Sequence, residues 1–280
     1  MARVRVVTDS ACDLPVTLAQ EQGITVVPLS IRFGSEEFVD GLTLSTKEFW
    51  ARCAASPVLP ETSAPSPGAF QEAFLAAADD GYDGVICINL SGGMSATHQS
   101  ARAAADTVSD RIPVSTVDSR SVTMGQGLLV LEAARQAASG ATLDEVTSSI
   151  ETLIPHTLVF GVMNTLDHLE KGGRIGGARA LLGSLLSIKP VMTVTGGVVG
   201  EESKQRTRQR SLRYLAEKAR TSGAIARVAV SNGAATDIEV FLEMVAGVES
   251  EHPLVVVDLG PVVGTHTGPG TIGLSMITAG

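Results

Sequence analysis

The chain is poor in the residues that carry the most recognisable chemistry. It has three cysteines in 280 residues, 4% aromatics, five histidines and no long apolar run. Cys12, Cys53 and Cys87 are odd in number and far apart, with no C-x-x-C pair, so neither a disulfide framework nor a zinc ribbon is readable. They are expected to be small packing residues in a reducing compartment. No stretch approaches the ~18 apolar residues that span a bilayer. MARVRVVTDS enters a strand-like pattern without a signal peptide's apolar stretch and cleavage site, so a cytoplasmic location is expected. There is no GxxxxGK[ST], no GxGxxG after the first strand and no HExxH. GMSAT at 93–97 misses the last glycine of a nucleophile elbow. His98, His156, His168, His252 and His266 show no metal-ligand spacing. Nucleotide, metal and other cofactor sites therefore have no sequence support.

Net charge is −9, which argues against general nucleic-acid binding. The charge is unevenly distributed. Lys171 to Arg220 holds eleven basic and three acidic residues, a net of +8, leaving −17 elsewhere. Such a segment is either a solvated basic face or a docking surface for an acidic partner or anionic ligand.

The length suits two domains. VRVVT (4–8), TVVPLSI (25–31), GVICINL (84–90) and PVSTVDS (113–119) read as strands, separated by helices. Residues 32–41 read as a small hairpin, and the four-proline stretch 56–67 as a loop. Ser45 with Glu48 and Thr142 with Glu145 form capping boxes, and Ser66-Pro67 opens another helix. This alternation predicts a parallel sheet covered by helices. Near Pro155 the pattern changes. TLVFGVM (157–163) starts a second sheet, Gly196-Gly197 turns a hairpin, and a final strand is expected at 254–259. The expected class is α/β with a domain at 1–155 and another at 156–280.

Ligands of open α/β sheets bind beyond the C-terminal strand ends. Hydroxyl and acidic residues gather there: Thr8, Asp9 and Ser10; Ser91 and Ser95; Asp118 and Ser119; with Thr62 and Ser63 on the proline-rich loop. Asp9, Ser10, Ser95 and Ser119 are equally placed to cap the helices that follow. Four clusters at one sheet edge, together with helix N-termini, can also hold an anion. In EKGGRIGGARALLGSLLSIKP (170–190), Gly172-Gly173 should stop a helix and expose Arg174 on a flexible turn. ALLGSLLSI within it reads as an apolar helix, for core packing or a pocket wall. VVGTHTGPGTIGL (262–274) reads as a glycine-rich turn presenting His266.

Seven motifs in this order resemble the DegV family: TDSACDLP (8–15), TSAPSP (62–67), SGGMSATHQSA (91–101), DSRSVTMGQG (118–127), LEKGGRIGG (169–177), IKPVM (188–192) and GPVVGTHTGPGTIGL (260–274). They cover nearly the whole chain. The resemblance implies a parallel-sheet N-terminal domain, a mixed-sheet C-terminal domain and a lipid site between them. It further implies a bacterial protein that binds a long-chain fatty acid, exchanges it with membranes, and presents its carboxylate to a separate ATP-dependent fatty acid kinase subunit. The acyl phosphate would feed phospholipid synthesis, and the binding subunit would not itself be the enzyme. By motif, Thr62, Ser63, Gly93, Ser95, His266 and Thr267 match the carboxylate site. Arg174 matches the arginine near both headgroup and kinase, and Lys204 and Arg206 match kinase-docking positions. The serine loop departs from the common SSGLSGTYQ form at Gly92, Ala96 and His98, which bears on loop shape and acyl selectivity.

The energetics are compatible with that reading. A sixteen-carbon chain has ~14 methylenes, each worth roughly 0.8 kcal/mol on burial, before losses of chain freedom. The carboxylate needs hydrogen-bond partners at the mouth, which Thr62, Ser95 and a protonated or suitably oriented His266 would supply. Two other readings stand beside it: an acyl-ester hydrolase using Ser95 and His266, and a regulatory protein whose lipid is structural.

Overall fold

The computed structural model describes residues 2–56, 58–184 and 188–279, with the side chains of 182–184 left aside. The first half alternates as expected: β1 (Val4–Asp9), α1 (Val16–Glu21), β2 (Ile24–Val27), β3 (Ser30–Phe33), β4 (Glu36–Val39), α2 (Thr46–Ala55), β5 (Glu61–Ser63), α3 (Pro67–Asp79), β6 (Gly84–Asn89), α4 (Thr97–Thr107), β7 (Val114–Asp118), α5 (Met124–Ala138) and α6 (Leu143–Leu153). The second half contains β8 (Thr157–Val162), α7 (Asp167–Lys171), β9 (Lys189–Thr195), β10 (Val198–Gln205), α8 (Arg208–Thr221), β11 (Ile225–Gly233), α9 (Ile238–Val245), β12 (Val255–Asp258), α10 (Pro261–Thr267) and β13 (Thr271–Thr278). A 3-10 segment occupies Gly176–Ser184. The apolar helix expected over 180–188 lies partly there, and its residues 185–187 lie outside the described residues.

Among the described residues the strands form three sheets. β2-β1-β6-β7 is parallel, β10-β9-β8-β13-β11-β12 is mixed, and β4-β3-β5 is a small antiparallel sheet. The strands before residue 155 and those after it pair in different sheets. α5 links the layers. Leu128, Leu129 and Ala133 pack in one core with Val6, Ile86 and Ile88 of the parallel sheet and with Ala229 and Ile277 of the mixed sheet. The outer face of the parallel sheet packs on α3 and α4 through Phe70, Phe74 and Ala101. The outer face of the mixed sheet packs on α8 and α9 through Leu212, Leu215 and Phe241. Each fully buried Phe or Leu contributes roughly 1.5–3 kcal/mol.

Local signals set most element ends. Both capping boxes form, Ser66 accepts from Ala69 N–H, and Gly196-Gly197 turns the β9–β10 hairpin with φ of 60° and 84°. Four expectations require correction. TVVPLSI is two strands in different sheets, split at Pro28, whose ring nitrogen has no N–H to donate to a ladder. The proline-rich stretch contains β5: Pro60 and Pro65 flank a short run with free N–H groups, and Thr62 pairs with Ile31. Residues 254–259 are not the last strand, because β13 follows and lies centrally between β8 and β11. VVGTHT is not a turn but α10, with Pro261 at its start and Gly268, at φ 75°, after its end. Its glycines, threonines and valines are weak helix formers, so tertiary packing holds it. Pro261 through Thr265 are all buried.

Candidate functional site

The small sheet, the serine loop after β6, α7 with its glycine turn, and α10 converge on a cavity of about 70 Å³. Its polar wall is Thr62, Ser95, Arg174, His266 and Thr267. Its apolar wall includes Leu29, Leu90 and Val122 from the first half of the chain, and Leu169, Val199, Val262 and Val263 from the second. At roughly 30 Å³ per water, this volume takes a small polar group rather than a whole ligand.

The Thr62 hydroxyl lies 2.9 Å from His266 Nε2. Burial pushes His266 down to about 4, with the nearby Arg174 and His168 adding to the effect. The imidazole is therefore neutral at pH 7, so of the two forms considered from sequence the protonated one is disfavoured in the ligand-free protein. His266 Nδ1 is buried without a hydrogen-bond partner among the described residues. A neutral ring can donate from Nε2 to Thr62 Oγ1, freeing the Thr62 hydrogen to point at a ligand oxygen.

Ser95 Oγ is 2.9 Å from Thr97 Oγ1 and also accepts from Thr97 N–H at 3.3 Å. The hydroxyl thus opens α4 and faces the cavity at once. Arg174 donates from Nε to Met94 O at 3.2 Å and from Nη1 to Gly172 O at 2.6 Å, tying the glycine turn to the serine loop. None of the ion pairs among the described residues involves Arg174. Thr267 lines the cavity while its hydroxyl donates to Val263 O.

Other sequence candidates fall outside the cavity lining. Ser63 is exposed, as β alternation requires next to an inward Thr62. Gly93 is exposed and packs against the β9–β10 turn, where an added Cβ would meet Gly197 O at 2.8 Å. Lys204 and Arg206 are exposed, and Lys204 pairs with Glu201 at 3.6 Å. His98 is half-buried on α4. The remaining strand-end groups hold loops. Asp9 accepts from Ala11 N–H, Leu90 N–H and Asn89 Nδ2. Ser91 donates to Gly197 O at 2.6 Å, and Asp118 accepts from Gly92 N–H and Arg120 N–H. Buried Cys12 and Cys87 have thiols pushed up by burial.

The sequence reading missed a second task for Gly172. Beyond ending α7, it gives room to the imidazole: an added Cβ would lie 2.4 Å from His266 Nδ1. His168 was also missed. Its Nδ1 lies 3.1 Å from Thr265 O and bridges α7 to α10. The glycine doublet was the only signal for the first, and nothing marked the second.

The arrangement offers hydroxyl donors, a neutral imidazole and one guanidinium in the wall of a cavity otherwise lined by apolar side chains. That set suits a monoanion with an apolar body. The described bonds join His266 to Thr62 and Ser95 to Thr97, so they do not form the Ser–His pair of a hydrolase. Among the described residues no helix is long and apolar enough to cross a membrane.

Comparison with known proteins gives a consistent picture. The model of the DegV family matches residues 3–279. A DegV domain-containing protein of Streptomyces coelicolor is 36% identical over 279 residues, 97% of each chain. The solved structure of a DegV family protein from Thermus thermophilus, described as fatty acid binding, superposes with a TM-score of 0.90 at 30% identity, covering 99% of this chain and 100% of that one. A stearic acid-binding protein of Eubacterium ventriosum superposes at 0.87 with 27% identity, covering 99% and 98%.

Proposed function

The chain belongs to the DegV family, and on that premise we propose that it binds a long-chain fatty acid and presents its carboxylate to a separate ATP-dependent kinase subunit. The observation that carries the reading is the convergence of Thr62, Ser95, His266 and Arg174 on one small cavity whose apolar wall comes from both halves of the chain. Thr62 and Ser95 hydroxyls donate to the carboxylate, the Thr62 hydrogen being directed by His266. Arg174 supplies the long-range positive charge. Hydrogen bonds to a charged group contribute roughly 1.5–3 kcal/mol each.

The acyl chain extends past Leu29, Val122 and Val263 into the apolar cluster that contains Ile31, Leu44 and Phe49. A cavity of about 70 Å³ is below the ~300–1,000 Å³ of ordinary ligand sites, so these side chains give way as the tail enters. The divided domains, 1–155 and 156–280, flank the carboxylate, and Lys204 and Arg206 form part of the kinase-facing surface. The acyl phosphate made by the partner leaves this protein as its product complex.

Mass spectrometry of ligand extracted from the native protein tests the binding step. A bound fatty acid is the expected result. Recovery of none, with no uptake of added palmitate, overturns the proposal. Acyl phosphate formation with a kinase subunit and ATP tests the second step. Lys204→Ala and Arg206→Ala should slow that turnover while leaving lipid affinity intact; equal losses in both would remove the docking assignment.

A further inference from the structure

α10 brings Val262, Val263, His266 and Thr267 to the cavity wall, but its own sequence does little to start it. Gly260 stands where α2 has Ser45 and α6 has Thr142, and it has no side chain to take an amide hydrogen. Three places on, α2 and α6 carry Glu48 and Glu145, which accept the N–H of the capping residue. α10 has Val263 there. Seven residues of mostly weak helix formers, with neither half of a capping box, do not hold a helix by themselves.

The second half of the box comes from the other end of the chain. Asp13, 247 residues away, accepts the Gly260 N–H through Oδ1 at 3.0 Å. It follows the 3-10 turn Ser10–Cys12 at the end of β1, with φ 54° in the left-handed region, which Gly, Asn and Asp enter most readily. Ala11 of that turn packs in one apolar cluster with Leu259, Val262 and Val263. The fit is close: a Cβ on Gly260 would lie 2.6 Å from Asp13 Oδ1. A second bond joins the two halves through the same turn, Thr123 Oγ1 to Ser231 Oγ at 3.0 Å, with Thr123 N–H donating to Ala11 O. Burial raises the Asp13 acid to about 8, so at pH 7 it accepts as a neutral carboxylic acid, which Asn reproduces.

We propose that Asp13 is a positioning residue for the carboxylate site: it fixes the start of α10 and, through that helix, the places of His266 and Thr267. From Gly260 to His266 the helix rises about 9 Å, a short span that transmits a shift of its start to the ring directing Thr62. Asp13 lies outside the lining of that cavity, so it acts only through α10. The inference rests on the fatty-acid reading for its affinity readout alone, because the place of the ring can be measured with no ligand present.

The test compares Asp13→Gly, which suits the left-handed backbone but has no acceptor, with Asp13→Asn, which has both. Nuclear magnetic resonance of the full chain follows the His266 ring, its signal identified by its loss in His266→Gln. In the parent, burial keeps that ring neutral down to about pH 4, and the charges that act on it are Arg174 and His168. Asp13→Gly should raise the midpoint toward the ordinary 6.5 and weaken binding of a fluorescent fatty acid about tenfold or more. Asp13→Asn should keep both at the parent's values. If Asp13→Gly folds poorly, Gly260→Ala takes its place: φ is an unstrained −70°, and the methyl drives Asp13 and α10 apart. The proposal is overturned if the variant without the contact leaves the midpoint of the ring unchanged, because a fall in affinity alone would be general loosening. It is equally overturned if Asp13→Asn is as impaired as Asp13→Gly. Should the parent take up no fatty acid, the binding reading falls and the midpoint alone decides the role of Asp13.

Discussion

Thr62→Val removes one hydroxyl and keeps the β-branched shape that suits β5. In the structure that hydroxyl touches His266 Nε2 at 2.9 Å and lines the small cavity. Two separate losses follow. Against the ligand, a hydrogen bond to a carboxylate is lost, worth roughly 1.5–3 kcal/mol, so fatty acid affinity should fall about 10- to 150-fold. Against stability, the imidazole loses its partner, a cost of about 1–3 kcal/mol for a buried polar atom. For a chain of this length that lowers Tm by roughly 2–6 °C. Competition with a fluorescent fatty acid, alongside thermal denaturation of the ligand-free protein, reads the two effects independently. Thr62→Ser restores the hydroxyl and should recover most of the affinity. The reasoning is refuted if Thr62→Val binds as the parent does. It is also refuted if the Ser variant binds as weakly as the Val variant, since the hydroxyl would then not be the cause.

Gly172→Ala places a methyl 2.4 Å from His266 Nδ1, so the ring must move. Fatty acid affinity should fall by at least about tenfold, as for a lost charged hydrogen bond, and a crystal structure of the variant should show the ring displaced. His266 is held at about 4 against an ordinary 6.5, so the unfolded chain takes up a proton first as the pH falls. Its stabilising effect is complete above about 6.5 and is lost toward 4, by up to about 3 kcal/mol. His266→Gln should therefore flatten the decline of Tm between those values, and an undiminished decline would contradict the assignment. Asp13 has the opposite sign. Its acid is raised from 3.8 to about 8, so stability is greatest below 3.8 and falls as pH rises through 8. Asp13→Asn should gain Tm over the parent as pH rises from 5 to 8.5, by about 1–3 kcal/mol equivalent, read by calorimetry at each pH.

The residues that sequence could place are those whose signal is local. Ser45 with Glu48, Thr142 with Glu145 and Ser66 with Pro67 satisfy helix N-termini from three residues away. Each cap therefore acts before any tertiary contact exists. Thr62, Ser95, Arg174 and His266 were reached through motif order rather than geometry, and the cavity brings them together. Ser63 and Gly93, adjacent in sequence to true lining residues, fall outside it. For Ser63 the reason is strand alternation, which sends neighbours to opposite faces.

What the chain alone determined is its alternation, its caps and the class of the first sheet, because hydrophobic period and capping chemistry are written within a few residues. Tertiary structure decided the rest. α10 has poor intrinsic helix formers and exists because Pro261 through Thr265 are buried. β5 is a strand because Ile31 offers Thr62 a ladder. The neutral state of His266 belongs to no residue by itself. It arises where burial, Arg174 and His168 act on one ring that lies far from both of them along the chain.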